Sequence, residues 1–159
     1  MFTLLSGEKI AKKLLRGLKK EIRGQSFSLA IIQIGKNLVS EKYIREKEKI
    51  AQSLGFGFEL HKFPTATKVS ALKSAIEKIA NNPKNTGILI QLPLPSHLPL
   101  QEVLDCIPLK KDVDVLSSQA LGLFAQGALP WLPPTVKAVS ILLQEAKVQL
   151  KGSCVLVIG

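Results

Sequence analysis

The chain has 159 residues, 46% of them hydrophobic, with two cysteines, two histidines and a formal net charge of +10. That length suits one domain with a real core, and the Leu/Ile-rich composition argues against a disordered chain. No apolar run approaches the ~20 residues that span a bilayer, and Cys106, Cys154, His61 and His97 are too scattered for a disulfide framework or a metal cluster. With no signal-peptide pattern at the N-terminus, a cytoplasmic protein with two buried free thiols, no metal and no membrane contact is expected.

Residues 1–50 hold twelve Lys/Arg against five acids, and residues 51–159 hold ten against seven. Much of the excess falls on a helix predicted over 7–23, with Ser6 as its N-cap. Lys9, Lys12, Lys13, Arg16, Lys19, Lys20 and Arg23 cluster within about 120° of its arc, opposite Ile10, Ala11, Leu14, Leu15, Leu18 and Ile22. Such a face can follow phosphates or lie on an anionic surface, and a non-catalytic basic binding module is the alternative reading of this chain. A solvated face is the commoner case. No aromatic residue is interleaved with the cations, so nucleic acid is not the expected partner.

Phe27 to Ile34 is short, β-branched and nearly continuous in apolar character, as in a strand covered on both faces. Gly35-Lys36-Asn37 breaks it, and a helix follows over Ser40–Leu54, stopped by Gly55. Phe56–Phe63 reads as a second strand. A third helix, capped by Thr67 or Ser70, runs to about Ala80 and ends at Asn81-Asn82-Pro83. Gly87–Leu92 is a third buried strand, halted by Pro93-Leu94-Pro95. This alternation predicts an α/β fold, a three-layer αβα domain with a mainly parallel sheet. Beyond Pro130, Pro133 and Pro134 comes a helix over Thr135–Lys147. Lys151–Gly159 then reads as a buried strand ending in glycine, the pattern that opens a dinucleotide-binding βαβ unit. Residues 1–148 are therefore expected to form one domain, and residues 149–159 the first strand of a second, truncated one.

One lysine is out of place. With Tyr43 at zero and about 100° per residue, Ile50, Leu54, Ala51 and Ile44 fall between about −20° and +100°. The other charges of the helix lie outside that arc, but Lys47 lies inside it at about 40°. Partial desolvation eases proton loss from an ammonium, which makes Lys47 a candidate acid/base group. The plain alternative is a long stem covering apolar surface with its head in water.

Ligands of parallel α/β sheets bind beyond the carboxyl ends of the strands. The first strand leads to Asn37, Ser40, Tyr43 and Lys47; the third leads to Gln91, whose amide the following prolines would hold in a fixed direction. In the loop Pro108–Val115, Asp112 and Asp114 are expected to point opposite ways, one solvated and one inward. Lysine, tyrosine, amide and carboxylate converging on one crevice suit a polar heterocycle, with Lys47 for proton transfer and Asp114 for ring N–H groups.

Ser40-x-x-Tyr43-x-x-x-Lys47-x-Lys49, Gly87-Ile88-Leu89-Ile90-Gln91-Leu92-Pro93-Leu94-Pro95 and Lys111-Asp112-Val113-Asp114 resemble the three signature blocks of bifunctional methylenetetrahydrofolate dehydrogenase/cyclohydrolases, in the family's order. Pro133–Ala138 is similar to a fourth. The resemblance implies a domain binding tetrahydrofolate derivatives, facing a Rossmann domain that binds NADP, in a protein that forms homodimers. It implies oxidation of 5,10-methylenetetrahydrofolate to the methenyl cation and hydrolysis to 10-formyltetrahydrofolate. By motif match Lys47 is the catalytic lysine, Tyr43 its neighbour at the folate ring and Gln91 its orienting partner. Asp114 grips the pterin, Ser40, Leu92 and Pro93 line the substrate site, and Gly159 would touch the cofactor. Val39, Val115, Pro134, Val136 and Ala138 depart from the blocks. Val115 stands where the family has glycine, so the Asp114 loop is expected to be shaped differently.

Overall fold

A computed structural model of the protein describes residues 4–158. The elements in chain order are α1 (Gly7–Glu21), β1 (Ser28–Ile34), α2 (Leu38–Leu54), β2 (Gly57–Phe63), α3 (Val69–Asn81), β3 (Gly87–Gln91) and α4 (Leu100–Leu104). A 3-10 turn (Leu109–Lys111), α5 (Ser118–Ala125) and α6 (Pro134–Glu145) follow. The three strands form one parallel sheet in the order β2-β1-β3, with Gln33 of β1 in register with Gln91 of β3. The α/β class and the alternation of strand and helix are as the sequence indicates.

Period-two side-chain alternation sorts β1 onto two faces. Ala30, Ile32 and Ile34, with Ile88 and Ile90 of β3, meet Leu72, Ile76, Ile79 and Ala80 of α3 and Val103 and Leu104 of α4. Each fully buried Ile or Leu there is worth roughly 1.5–3 kcal/mol relative to exposure. On the opposite face Ile31 and Leu89 pack with Ile44 of α2, fringed by Leu29, Phe58 and Leu60. This second cluster is small, and the sheet beyond it faces an open cleft.

Several boundaries differ from expectation. α2 begins at Leu38, two residues earlier than expected, capped by Asn37, whose Oδ1 accepts the Ser40 N–H at 2.9 Å. Gly55 ends α2 in the left-handed conformation (φ 77°), with its N–H and that of Phe56 closing back on the last turn. Neither Thr67 nor Ser70 caps α3; the Thr67 hydroxyl donates instead to the Pro64 carbonyl at 2.6 Å. Ser6 holds the N-cap position of α1 without a side-chain bond.

The buried arc of α2 is also rotated from the one expected. Ser40, Ile44 and Ala51 are buried, whereas Tyr43 is 60% exposed and Ile50 43%. The rotation escaped a hydrophobic count because one inward residue, Ser40, is polar. Residues 153–158 pair with no strand, and Val155–Ile158 are exposed because no sheet neighbour covers them among the described residues. Cys154 is consequently exposed and Cys106 half-buried, both free thiols, rather than two buried ones. Gly159 lies outside the described residues.

Candidate active site

Lys47 reaches from α2 to the end of β3. Its Nζ donates to Gln91 Oε1 at 3.0 Å, and Gln91 Nε2 donates to the Leu92 carbonyl at 3.0 Å. Because the amide nitrogen is committed to a carbonyl, which only accepts, the amide oxygen must be the atom facing Lys47. Ser40, 4% exposed, donates its hydroxyl to the same Leu92 carbonyl at 3.0 Å. The series Ser40–Leu92–Gln91–Lys47 thus ties the start of α2 to the end of β3. The Leu92–Pro93 peptide is cis. What aims the Gln91 amide is its bond to Leu92, beside the proline turn that the sequence singled out.

Neither Asp112 nor Asp114 is the solvated loop charge that was expected: the segment bends after Asp112, and both aspartates are at least half-buried. Asp112 is 3% exposed and pairs with Ile88 through an isolated parallel bridge. Its Oδ1 accepts the N–H of Val115 at 2.9 Å and of Leu116 at 3.4 Å. Its Oδ2 accepts the Leu116 N–H at 3.1 Å, the Ser117 N–H at 2.9 Å and the Ser117 hydroxyl at 2.7 Å. Asp114 is half-buried. Burial pushes its carboxyl pKa up from the ordinary value; the Lys47 ammonium pulls it down by less, and the Asp112 charge adds a smaller upward push. Lys47 and Asp114 therefore feel each other without forming an ion pair.

Two backbone features hold the Asp114 loop. Gly87 lies directly against Val113: a Cβ at residue 87 would stand 2.7 Å from Val113 Cγ1. Val115 adopts φ 59°, left-handed in spite of its β-branch, and is fully buried. A left-handed conformation costs an L-residue about 1–2 kcal/mol. The expectation that valine would reshape this loop is thus answered by a valine that accepts the glycine-favouring conformation.

Lys47 and Asp114 stand at one end of a cleft of about 490 Å³ that runs along the open sheet face past Leu29, Leu89 and Val113 to Phe27 and Phe56. Pro134 of α6 lines it too. A cation and a half-buried carboxylate at the head of an apolar cleft suit a flat heterocycle that presents N–H groups and undergoes proton transfer nearby. Tyr43 sits outside this cleft, one turn earlier on α2, on an exposed patch with Leu38, Val39, Lys42 and Glu46. Pro93 lines a different hollow with Leu94, Pro95 and Leu98. So hydrogen bonds join Lys47, Gln91, Ser40 and the Leu92 carbonyl, Asp114 shares the cleft with Lys47, and Tyr43 and Pro93 line neighbouring hollows.

Three contributors were given no role from the sequence. Asp112 and Gly87 stood inside the blocks that carry the resemblance, but neither was assigned a part in the site. Gln33, buried beside Gln91 in the sheet, keeps an Oε1 with no partner among the described residues; a glutamine inside an otherwise apolar strand was the available hint. The basic face of α1 is exposed, with Lys12 paired to Glu8 at 2.7 Å and Lys13 to Glu145 of α6 at 2.8 Å. No group of three or more His, Cys, Asp or Glu among the described residues is placed to hold a metal ion. No described helix is long and apolar enough to cross a membrane.

The described residues do not fit an NADP site. They form no glycine-rich strand–loop–helix unit, since the β1–α2 turn carries the single glycine Gly35, and the segment expected to begin one, residues 153–158, is exposed and unpaired.

Residues 5–114 match the family model for the catalytic domain of tetrahydrofolate dehydrogenase/cyclohydrolase. The bifunctional protein FolD of Moorella thermoacetica is 34% identical over 161 aligned positions, covering 98% of this chain and 58% of the relative. The chain thus spans little more than half the length of such curated relatives. Among solved structures, the bifunctional FolD enzyme of Campylobacter jejuni superposes with a TM-score of 0.85 at 29% identity, over 92% of this chain and 54% of that one. The Trypanosoma brucei dehydrogenase–cyclohydrolase, complexed with NADP cofactor and inhibitor, gives 0.84 at 27% identity, over 92% and 52%. By sequence and by fold, this chain belongs to the tetrahydrofolate dehydrogenase/cyclohydrolase family, within its catalytic domain.

Proposed function

We propose that this chain carries the folate half of a methylenetetrahydrofolate dehydrogenase/cyclohydrolase: it binds the reduced folate and supplies the proton-transfer group for hydrolysis of the methenyl cation. The observation that carries this reading is the Lys47–Gln91 hydrogen bond at 3.0 Å at the head of a cleft shared with Asp114. Asp114 accepts N–H groups of the pterin ring, a charge-assisted interaction that also fixes the ring's orientation. Gln91 keeps the Lys47 Nζ at the cleft mouth. Water adds to the cationic carbon between N5 and N10 with loss of a proton. Lys47 then relays the hydroxyl proton to N5 as the carbon–N5 bond breaks, leaving the formyl group on N10.

Oxidation of the methylene compound needs a hydride acceptor, which NADP supplies in the family. In this reading residues 1–148 are the folate-binding unit and residues 149–159 lead toward a nucleotide-binding one. The length of the relatives supports that division, as does the family resemblance, which also implies a homodimer for the whole protein. The described residues alone are expected to give no NADP-dependent oxidation.

The test is hydrolysis of 5,10-methenyltetrahydrofolate, followed by loss of its chromophore, with tetrahydrofolate binding measured by calorimetry. Lys47→Met is expected to abolish turnover while leaving the fold and much of the binding intact. Turnover by that variant equal to the parent's would remove Lys47 from the chemistry.

A further inference from the structure

The best-connected side chain near the cleft is one that no part of the proposed chemistry uses. Asp112 is almost wholly buried, and its two oxygens receive five hydrogen bonds from three consecutive residues, Val115, Leu116 and Ser117. The Ser117 hydroxyl in turn accepts the Ala120 N–H at 3.3 Å and so caps α5. The residues leading into Asp112 are anchored as well: Lys111 Nζ donates to the carbonyls of Ala80 at 2.6 Å and Asn82 at 3.0 Å. The loop is therefore fixed on both sides of Asp114, and between the fixed points stands Val115 at φ 59°. A β-branched residue stays in that region only where its surroundings over-determine it. Here the nearest restraint is the Asp112 carboxylate, which holds Val115's own N–H and the two that follow.

We propose that Asp112 is the positioning residue of the folate site: by gathering the amides of residues 115–117 it holds Val115 left-handed and thereby keeps the Asp114 carboxylate turned toward Lys47. The proposal rests on the reading of Asp114 as the pterin-gripping group, and it turns on the valine at residue 115. A glycine at residue 115 adopts positive φ without help, whereas valine needs the Asp112 clamp. In Asp112→Asn the side-chain nitrogen replaces an acceptor and meets the donors of Leu116 and Ser117. The clamp then opens, Val115 relaxes to negative φ and Asp114 swings away from Lys47.

The experiment compares the parent, Asp112→Asn, Val115→Gly and the double variant. The Asp114 carboxyl titration is read by carbon-detected NMR, together with circular dichroism and tetrahydrofolate affinity. In the parent Asp114 is expected to titrate above the ordinary carboxylate value, because burial and the Asp112 charge push it up by more than Lys47 pulls it down. Asp112→Asn is expected to drop it into the ordinary range, and to weaken tetrahydrofolate binding at least tenfold. Removing the Asp112 charge alone also lowers the titration, so the decisive arm is the double variant. Val115→Gly restores no charge, yet it is expected to recover at least half of the fall and most of the affinity. A double variant that stays where Asp112→Asn lies overturns the proposal, as does an Asp112→Asn chain indistinguishable from the parent. If Asp112→Asn does not fold, a folded double variant supports the proposal and an unfolded one overturns it. A parent that binds no tetrahydrofolate would sink the proposed function, while the Asp114 titration would still decide the role of Asp112.

Discussion

Replacing Gly87 with alanine tests whether the Asp114 loop is held by the contact at the start of β3. The added Cβ would stand 2.7 Å from Val113 Cγ1, while its next neighbour, Leu29 Cδ1, lies at an ordinary 3.7 Å. Carbon pairs rest at ~3.5–4.0 Å, so Val113 must withdraw by about 1 Å. Val113 is 40% exposed and can move outward without tearing the core. The penalty therefore belongs at the low end of the ~1–3 kcal/mol typical of overpacking. Alanine's smaller unfolded-state entropy returns about 0.4–1 kcal/mol. The net loss is about 0–0.6 kcal/mol, no more than roughly 1–2 °C in melting temperature for a chain of this size. The functional loss is expected to be far larger than the structural one. Asp114 follows Val113 directly, and a misplacement of ~1 Å at a reacting site can lower the rate ~10²-fold. Calorimetric titration with tetrahydrofolate, methenyl hydrolysis and thermal melts on the same samples separate the two. Val113→Ala in the Gly87→Ala background removes the offending methyl and is expected to restore most of the binding. A Gly87→Ala chain that binds and turns over within twofold of the parent would refute the reasoning, and so would a Val113→Ala that restores nothing.

Asp114→Asn is expected to destroy tetrahydrofolate binding and yet stabilise the fold at neutral pH. Its folded pKa is raised above 3.8, so its contribution to stability is fully present below that value and is lost as pH rises through the folded pKa. Melts at pH 3 should then match the parent and melts at pH 7 should exceed it; a variant less stable than the parent at pH 7 would contradict the burial argument. Gln91→Leu loses a hydrogen bond to an ammonium, worth about 1.5–3 kcal/mol, part of which water replaces at this half-buried position. Denaturant unfolding is expected to show a deficit of about 1–2 kcal/mol, and hydrolysis to fall by ~10²–10⁴-fold as Lys47 loses its aim. Unaltered hydrolysis would show that Lys47 needs no such partner.

The strand–helix alternation was legible because β1 and β3 are nearly unbroken apolar runs, β2 alternates apolar with polar residues, and each break carries glycine, proline or asparagine. Lys47 was legible for a geometric reason: an ammonium on an apolar helical arc is an anomaly that angular position alone exposes. Its surroundings were less so. Ser40 and Gln33 are polar residues facing inward, and a hydrophobic count assigns such residues to solvent; what places them is the Leu92 carbonyl and the register of β1 against β3. The Asp112 clamp was invisible because its five bonds depend on the left-handed turn at Val115, and nothing local in a valine announces positive φ. Tyr43 stands one helical turn before Lys47, as its spacing indicated, but is 60% exposed where Lys47 is half-buried, a difference that spacing alone does not report. The exposed segment 153–158 has a strand's sequence without a strand's neighbours, and β-propensity alone pairs nothing.

The most direct test is an NMR titration of the 159-residue chain with tetrahydrofolate, mapped residue by residue. If Lys47, Gln91 and Asp114 form the folate site, the perturbed amides will cluster at the end of β3, in residues 112–117 and along the cleft past Leu89, and Lys47→Met together with Asp114→Asn will erase them. Perturbations confined to the basic face of α1, or unchanged in that double variant, would contradict it.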